Sequence, residues 1–335
     1  MLFGIRLVGD FGTANTIQRY GALAEQNGLD FVWVSHDLFK ISSWVALTAV
    51  ACATKRVKLG NTILNPYSCD PSELSTYITT LDELSNGRVV VGLSAGHPRF
   101  LQWVGIDAKK PLTRTKETVE ILRKLFRGER VKYDGQEFHW TDQAYLRYKP
   151  FRNEIPIYIG GSGDKFLQYA GEAGDGVLPI LFPPEYIDHT MKQIRVGATK
   201  AGRNLADLDI AGCVWFSVSE EGGVAEDALR ALIAYYGPGI QEFRLNSIGL
   251  TRKDMEPIGE AVKASGVEAG KKLVTDKMMG LAIHGTPDEC IGKIEKLGGK
   301  GVTHVALGAP LGPDPEKAIE LIGRKIMPYF RDRTS

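Results

Sequence analysis

The sequence predicts an α/β fold, a single (β/α)8 TIM barrel over residues 1–335 with an insertion before its last strand. Three observations predict it. Short β-branched runs alternate with helical spacings from end to end. The alternation gives eight strand–helix units in 335 residues, the size of a (β/α)8 barrel with insertions. VGDFGTAN follows the first strand in place of G-x-G-x-x-G, which disfavours the competing doubly wound sheet.

FGIRLV (3–8) and DFVWV (30–34) read as the first two strands. Between them a helix over 14–26 places Ile17, Tyr20 and Ala24 on one face, and Gly28 stops it. An Ala- and Val-rich helix over 42–53 leads to the third strand, RVKLGNTIL (56–64). In Asp70-Pro71-Ser72-Glu73, Asp70 is placed to cap, Pro71 suits the first turn and Glu73 stands at capping-box spacing. Asn86-Gly87 ends that helix before RVVVGL (88–93), a strand buried on both faces. A helix over 111–127 and a hairpin over 131–140, turning at Asp134-Gly135, precede the strand 155–160. A helix over 164–173, strand 175–180, helix 184–201, strand 208–218 and helix 222–236 follow.

Residues 237–285 break the rhythm. They read as pieces of helix without a strand, inserted into the barrel. Thr286-Pro287-Asp288-Glu289 repeats the cap signature, THVALG (303–308) is the last strand, and Asp314-Pro315-Glu316 opens a helix to about 328. No repeat or low-complexity linker divides the chain, so one domain is expected.

Composition narrows the function. A net charge of +1 offers no field for nucleic acid, and no apolar run approaches the ~18 residues of a membrane-spanning helix. The opening MLFGIRLVGDFG carries no secretory pattern. Cys52, Cys69, Cys213 and Cys290 form no C-x-x-C pair, which fits a reduced, cytoplasmic protein. The expected partner is a small-molecule substrate. No His/Cys spacing of a metal site and no G-x-S-x-G elbow occurs.

Barrel sites lie where strands end. The first strand ends in Gly9-Asp10-Phe11, the second in Ser35-His36-Asp37, the third in Thr62-Ile63-Leu64-Asn65-Pro66-Tyr67 and the fourth in Ser94-Ala95-Gly96-His97. One histidine at such a place is commonly a packing or surface residue. Two, His36 and His97, point to a group that binds or protonates a substrate near neutral pH. The run IYIGGSGDKF passes from strand through Gly160-Gly161-Ser162-Gly163 into a helix. Its bare amides suit a phosphate, although such turns also serve tight packing alone. Trp44, Trp103, Tyr67 and Phe182 are candidate walls for a planar ligand, whereas Trp33, inside a strand, reads as core.

The order of motifs resembles the luciferase-like flavin and deazaflavin oxidoreductases. Within them it looks most like the coenzyme F420-dependent methylenetetrahydromethanopterin reductases. The resemblance covers nearly the whole chain, through RVKLGNTILNPYSCDPSEL, LDELSNGRVVVGLSAG, IPIYIGGSGDKFLQYAGEAGDGVL, VTDKMMGLAIHGTPDE and LGAPLGPDPEKAIELIG. It implies a cofactor ring at the barrel mouth, against a bulge with a non-proline cis peptide near Thr62-Ile63. It implies cofactor contacts at Thr62, Ile63, Asn65, Gly96 and Gly160, with the phosphate by Gly161, Ser162 and Gly163, and a homodimer or larger assembly. The departures fall on the substrate side. The reductases resembled carry acidic residues at the positions of Arg6 and His97, a Glu at that of Gln102, and Asp-His where this chain has His36-Asp37. Arg6, His36, Asp37 and His97 are therefore the candidate catalytic residues, and Arg6 and His97 favour an anion, carbonyl or oxyanion.

The expected activity is hydride transfer between coenzyme F420 and a small organic substrate, with a methylene-tetrahydropterin as one version. The alternatives are an FMN-dependent monooxygenase and a non-catalytic flavin-binding barrel.

Overall fold

Eight parallel strands form a closed ring in the computed structural model, which describes residues 1–8 and 11–331. They are β1 (Leu2–Leu7), β2 (Phe31–Val34), β3 (Lys58–Asn61), β4 (Val89–Leu93), β5 (Ile157–Gly161), β6 (Gly176–Pro179), β7 (Asp209–Val218) and β8 (His304–Leu311). Each pairs with the next, and β8 returns to β1 from Leu2↔His304 to Ile5↔Leu307. All eight strands read from the sequence are barrel strands. Gly9 and Asp10 lie outside the described residues.

The two-residue period of a strand sorts side chains between two cores. On β1, Phe3, Ile5 and Leu7 join the large cluster between sheet and helices, which leaves Gly4 and Arg6 toward the barrel axis. The interior is filled by Phe31, Trp33, Val90, Tyr158, Leu178, Ala211, Cys213 and Ala306. Trp33 is fully buried and stacks on Phe31 with centroids 5.3 Å apart, so its reading as core holds.

A polar network joins the strand starts. Asp209 Oδ2 accepts from Tyr158 Oη (2.7 Å) and lies 3.1 Å from His304 Nδ1, while Thr303 Oγ1 donates to Asp209 Oδ1 at 2.6 Å. Burial pushes the Asp209 carboxyl up, but the His304, Thr303 and Tyr158 bonds outweigh it and hold the group below its usual value. A depressed carboxyl stabilises the fold above its unfolded value, and that contribution disappears as pH falls through the folded value. Asp209→Asn should therefore flatten the dependence of urea-melt stability on pH below about 4.

The helix starts follow their signals, with one exception. Thr286 and Glu289 make the reciprocal capping box, and Asp314 accepts from the amides of Glu316 and Lys317. Asp70 caps through Ser72 N, but Glu73 makes no return bond. The expected hairpin forms as Tyr133–Asp134 against His139–Trp140. The Glu117 carboxylate accepts from the amides of Gln136, Glu137 and Phe138 in its turn.

The last strand runs on to Leu311, past the 308 read for it, and other features differ too. The third strand leaves the ladder after Asn61 rather than at 64; Thr62–Ile63 is a cis peptide, and Leu64 bridges Leu93. A helix, Pro98–Trp103, follows β4 where none was read; Pro98 opens it. The last helix changes pitch, from α over Pro315–Leu321 to π over Ile322–Ile326. Residues 237–285 are not wholly helical: Ile283–Gly285 is a strand that pairs with Phe216–Val218 of β7 outside the ring. Three residues are too few for a periodicity to announce it. The rest of that segment, with the helix Gly222–Tyr236, packs around Leu229, Ile233, Leu245, Met255 and Leu281. No helix among the described residues is long and apolar enough to cross a membrane.

Candidate active site

The carboxyl ends of the strands surround a cavity of about 420 Å³, within the range of small-molecule sites. The twelve residues expected to be catalytic or to contact the cofactor all line it: Arg6, His36, Asp37, Thr62, Ile63, Asn65, Gly96, His97, Gly160, Gly161, Ser162 and Gly163. A second crevice, of about 490 Å³, lies outside the barrel between the helix Ile187–Lys200 and the turn at Gly299–Gly301. It is open, and it gathers none of the strand ends.

On one side of the mouth β5 runs into the glycine loop and the helix Asp164–Ala173. Gly163 is the N-cap, in extended conformation (φ −89°, ψ 149°), with no side-chain cap. The amides of Ser162, Gly163, Asp164 and Lys165 find no acceptor among the described residues. Such unpaired amides at a helix start attract an anion. The one carboxylate there, Asp164, is engaged by His189 Nε2 at 2.7 Å. A Cβ at Gly163 would meet nothing within 4 Å, whereas one at Gly161 would press on Phe166 at 2.7 Å and one at Gly160 on Ile63 Cγ2 at 2.9 Å. The loop is thus open at Gly163 and packed at the other two glycines.

Thr62–Ile63 is cis, at the position where the resemblance placed such a bond. Thr62 Oγ1 is buried without a partner among the described residues, and Ile63 packs against the barrel-interior cluster. Asn65 is mostly occupied by its own turn: Oδ1 accepts from Tyr67 N, Ser68 N and Ser68 Oγ. Gly96 crosses that side chain with φ +80°, a conformation that favours glycine.

Arg6 reaches the floor of the cavity. A Cβ at Gly308 would lie 2.4 Å from its Nη2, so Gly308 leaves the guanidinium its room. The Arg6 charge also draws down the Cys213 thiol, which burial pushes up more strongly. Among the described residues, Arg6 Nε is buried with no hydrogen-bond partner and no carboxylate pairs with the side chain. A cation held this way favours an electron-rich group from a ligand.

His36 Nδ1 lies 2.8 Å from Ser43 Oγ, and Asn61 Nδ2 donates to the same oxygen at 2.8 Å. Burial holds the His36 imidazole below its ordinary value. His97 is exposed at the rim, where it begins the helix Pro98–Trp103 and stands 4.8 Å from the Phe100 ring. Burial lowers its pKa, Asp37 opposes that and Arg99 adds to it.

Sequence reasoning missed Ser43 and Asn61. Ser43 follows Ser42, the residue that caps the helix Ser43–Ala53, so the doublet reads as cap alone. It also missed Phe166 and Gln241, which line the cavity. Gln241 comes from the 237–285 segment, whose place over the mouth no local pattern announces. Phe182, a suggested wall, lines the cavity and stacks on Trp215 with centroids 4.5 Å apart. Trp44, Trp103 and Tyr67 are not part of its lining.

The family model for luciferase-like monooxygenases matches residues 2–304. The chain is 37% identical over 336 residues to a 5,10-methylenetetrahydromethanopterin reductase of Archaeoglobus fulgidus, spanning 99% of this chain and 100% of that protein. It is 30% identical to an F420-dependent glucose-6-phosphate dehydrogenase of Nakamurella multipartita, over 92% of this chain and 90% of that one. A solved structure of a coenzyme F420 dependent tetrahydromethanopterin reductase from Methanopyrus kandleri matches it with a TM-score of 0.94. That match is at 31% identity over 98% of this chain and 99% of that one. The chain belongs to the luciferase-like monooxygenase family.

Proposed function

We propose that this protein is an oxidoreductase that transfers hydride between coenzyme F420 and a small organic substrate, with a methylene-tetrahydropterin as the substrate class. One observation carries the reading. A single barrel-mouth cavity joins an uncapped glycine loop on one side to Arg6, His36, Asp37 and His97 on the other. Full-length similarity to the methanopterin reductases supports the deazaflavin over FMN and makes a pterin the first substrate class to test. The amides of 162–165 fit a cofactor phosphate, and the open position at Gly163 leaves it space. Thr62, Ile63, Asn65, Gly96 and Gly160 wall the ring side. Bound coenzyme F420 supplies or accepts the hydride. The protein binds and orients both partners, and it places a cation and two imidazoles on the substrate side. Arg6 takes an electron-rich oxygen such as a pterin carbonyl, and the rim imidazole of His97 exchanges protons with solvent.

The whole chain forms one barrel domain with 237–285 inserted, and it works as a homodimer or larger assembly. Exposed Val45, Tyr77 and Leu84 on the helices Ser43–Ala53 and Pro71–Leu84 support the assembly. Four free cysteines fit a cytoplasmic setting.

Fluorescence titration with oxidised coenzyme F420 and, separately, with FMN tests the reading. Saturable quenching by coenzyme F420, followed by its reoxidation with methylene-tetrahydromethanopterin, is the expected result. Binding of FMN alone would overturn the reading in favour of the monooxygenase alternative, cofactor binding without any turnover would favour the non-catalytic barrel, and binding of neither would overturn the reading outright.

A further inference from the structure

We propose that Ser43 and Asn61 are positioning residues that fix His36 as a neutral imidazole with its proton on Nε2, offered to the cavity as a hydrogen-bond donor. The assignment of the lock stands on geometry. Its catalytic consequence rests on the hydride-transfer reading above.

The chain of bonds starts at Asn61, the last residue of β3 and almost fully buried. With the amide nitrogen on Ser43, Asn61 Nδ2 donates to Ser43 Oγ at 2.8 Å. Ser43 is fully buried. A hydroxyl has one proton to give, and the acceptor the structure offers it is His36 Nδ1, at 2.8 Å. Nδ1 then accepts, and the ring proton stands on Nε2. Ser43 is not needed as a cap, because Ser42 Oγ accepts from Val45 N. Two buried polar side chains therefore serve one imidazole, and that imidazole lines the cavity.

The same chain disfavours the imidazolium. A proton on Nδ1 would point at an oxygen that already receives Asn61, and would leave the Ser43 proton buried with no acceptor. Such a loss costs about 1–3 kcal/mol. Among the described residues, the charged and titratable groups around this mouth are Arg6 on β1, Asp37 beside His36, Cys213 on β7, and His97 and Arg99 beyond β4. A neutral donor polarises a substrate atom without surrendering its proton, since loss of that proton would leave an imidazolate. Proton delivery then falls to another group, and His97 at the exposed rim is placed for it. Two histidines that look equivalent in the sequence thus take separate roles.

The test uses the full-length protein labelled with ¹⁵N, and two-bond ¹H–¹⁵N correlations of the histidine rings. His36 should show a single tautomer protonated at Nε2, persisting below the usual histidine range. In Ser43→Ala the single tautomer should give way to a mixture and the titration should move toward the ordinary value. Asn61→Asp should reverse the chain, because a carboxylate accepts the Ser43 proton; Nδ1 then carries the hydrogen. With coenzyme F420 and methylene-tetrahydromethanopterin, Ser43→Ala should lower kcat about tenfold with little change in KM, and Ser43→Thr should restore it. An Nδ1-protonated ring in the wild type would overturn the proposal, as would an unchanged His36 spectrum in both variants. The expected spectra without F420-dependent turnover would leave the lock standing and remove the activity reading instead.

Discussion

The Gly163→Asp protein should fold as well as the wild type and bind coenzyme F420 at least tenfold more weakly. Both halves follow from one position. Gly163 already has the extended backbone of an N-cap, makes no side-chain cap, and has open space where a Cβ would stand. Aspartate is among the best residues for that place, and glycine is worse by only a few tenths of a kcal/mol. The thermal midpoint should stay constant or rise slightly. The new carboxylate, however, takes up the amides of the helix start and sets a negative charge where the proposal seats the cofactor phosphate. Charge-assisted hydrogen bonds are worth about 1.5–3 kcal/mol each, which is roughly ten- to a hundredfold in Kd. Fluorescence titration reads the affinity and a thermal melt reads the fold. Gly163→Ala adds no charge and should leave the affinity nearly unchanged, although alanine is a poorer N-cap than glycine. Unchanged affinity in Gly163→Asp would place the phosphate elsewhere and leave the loop a packing turn.

Much of this site was legible because a parallel barrel converts position along the chain into position in space. Each strand carries its last residues to the same rim, so His36, Thr62, His97 and Gly160–Gly163 meet although more than a hundred residues separate the first from the last. The burial alternation on β1 likewise predicts that Arg6 faces inward. What was not legible depends on choices without a period. The return bond of Glu73 failed because capping-box spacing permits that contact without compelling it. The outer strand Ile283–Gly285 exists because β7 is long enough, at Asp209–Val218, to offer a free edge beyond the ring. Ser43 escaped notice because a serine at a helix start is satisfied locally in most proteins. Only the packing of that helix against the end of β3 turns it to His36.

Trp33→Ala should be the most destabilising of the substitutions considered, at about 3–5 kcal/mol in a urea melt, the usual range for deleting a buried aromatic. The reason lies in how the barrel interior is filled. Trp33 occupies the axis over Gly60, where an added Cβ would sit 2.1 Å from ring atoms Cε3 and Cζ3. The glycine is therefore the complement of the indole, and neither residue is free to change alone. Gly60→Ala should cost about 1–3 kcal/mol by overpacking. Combining it with Trp33→Leu, which vacates the space the new methyl needs, should cost less than the sum of the single changes by at least about 0.5 kcal/mol. Strict additivity would show that the two sites are energetically independent and that the indole is held by other contacts. The same pair bears on function. Leu178 and Cys213 pack in the Trp33 cluster and also line the cavity, and Arg6 stands opposite Trp33 in the β1–β2 register. The floor on which the Arg6 guanidinium is held is thus made rigid by an indole that a glycine admits.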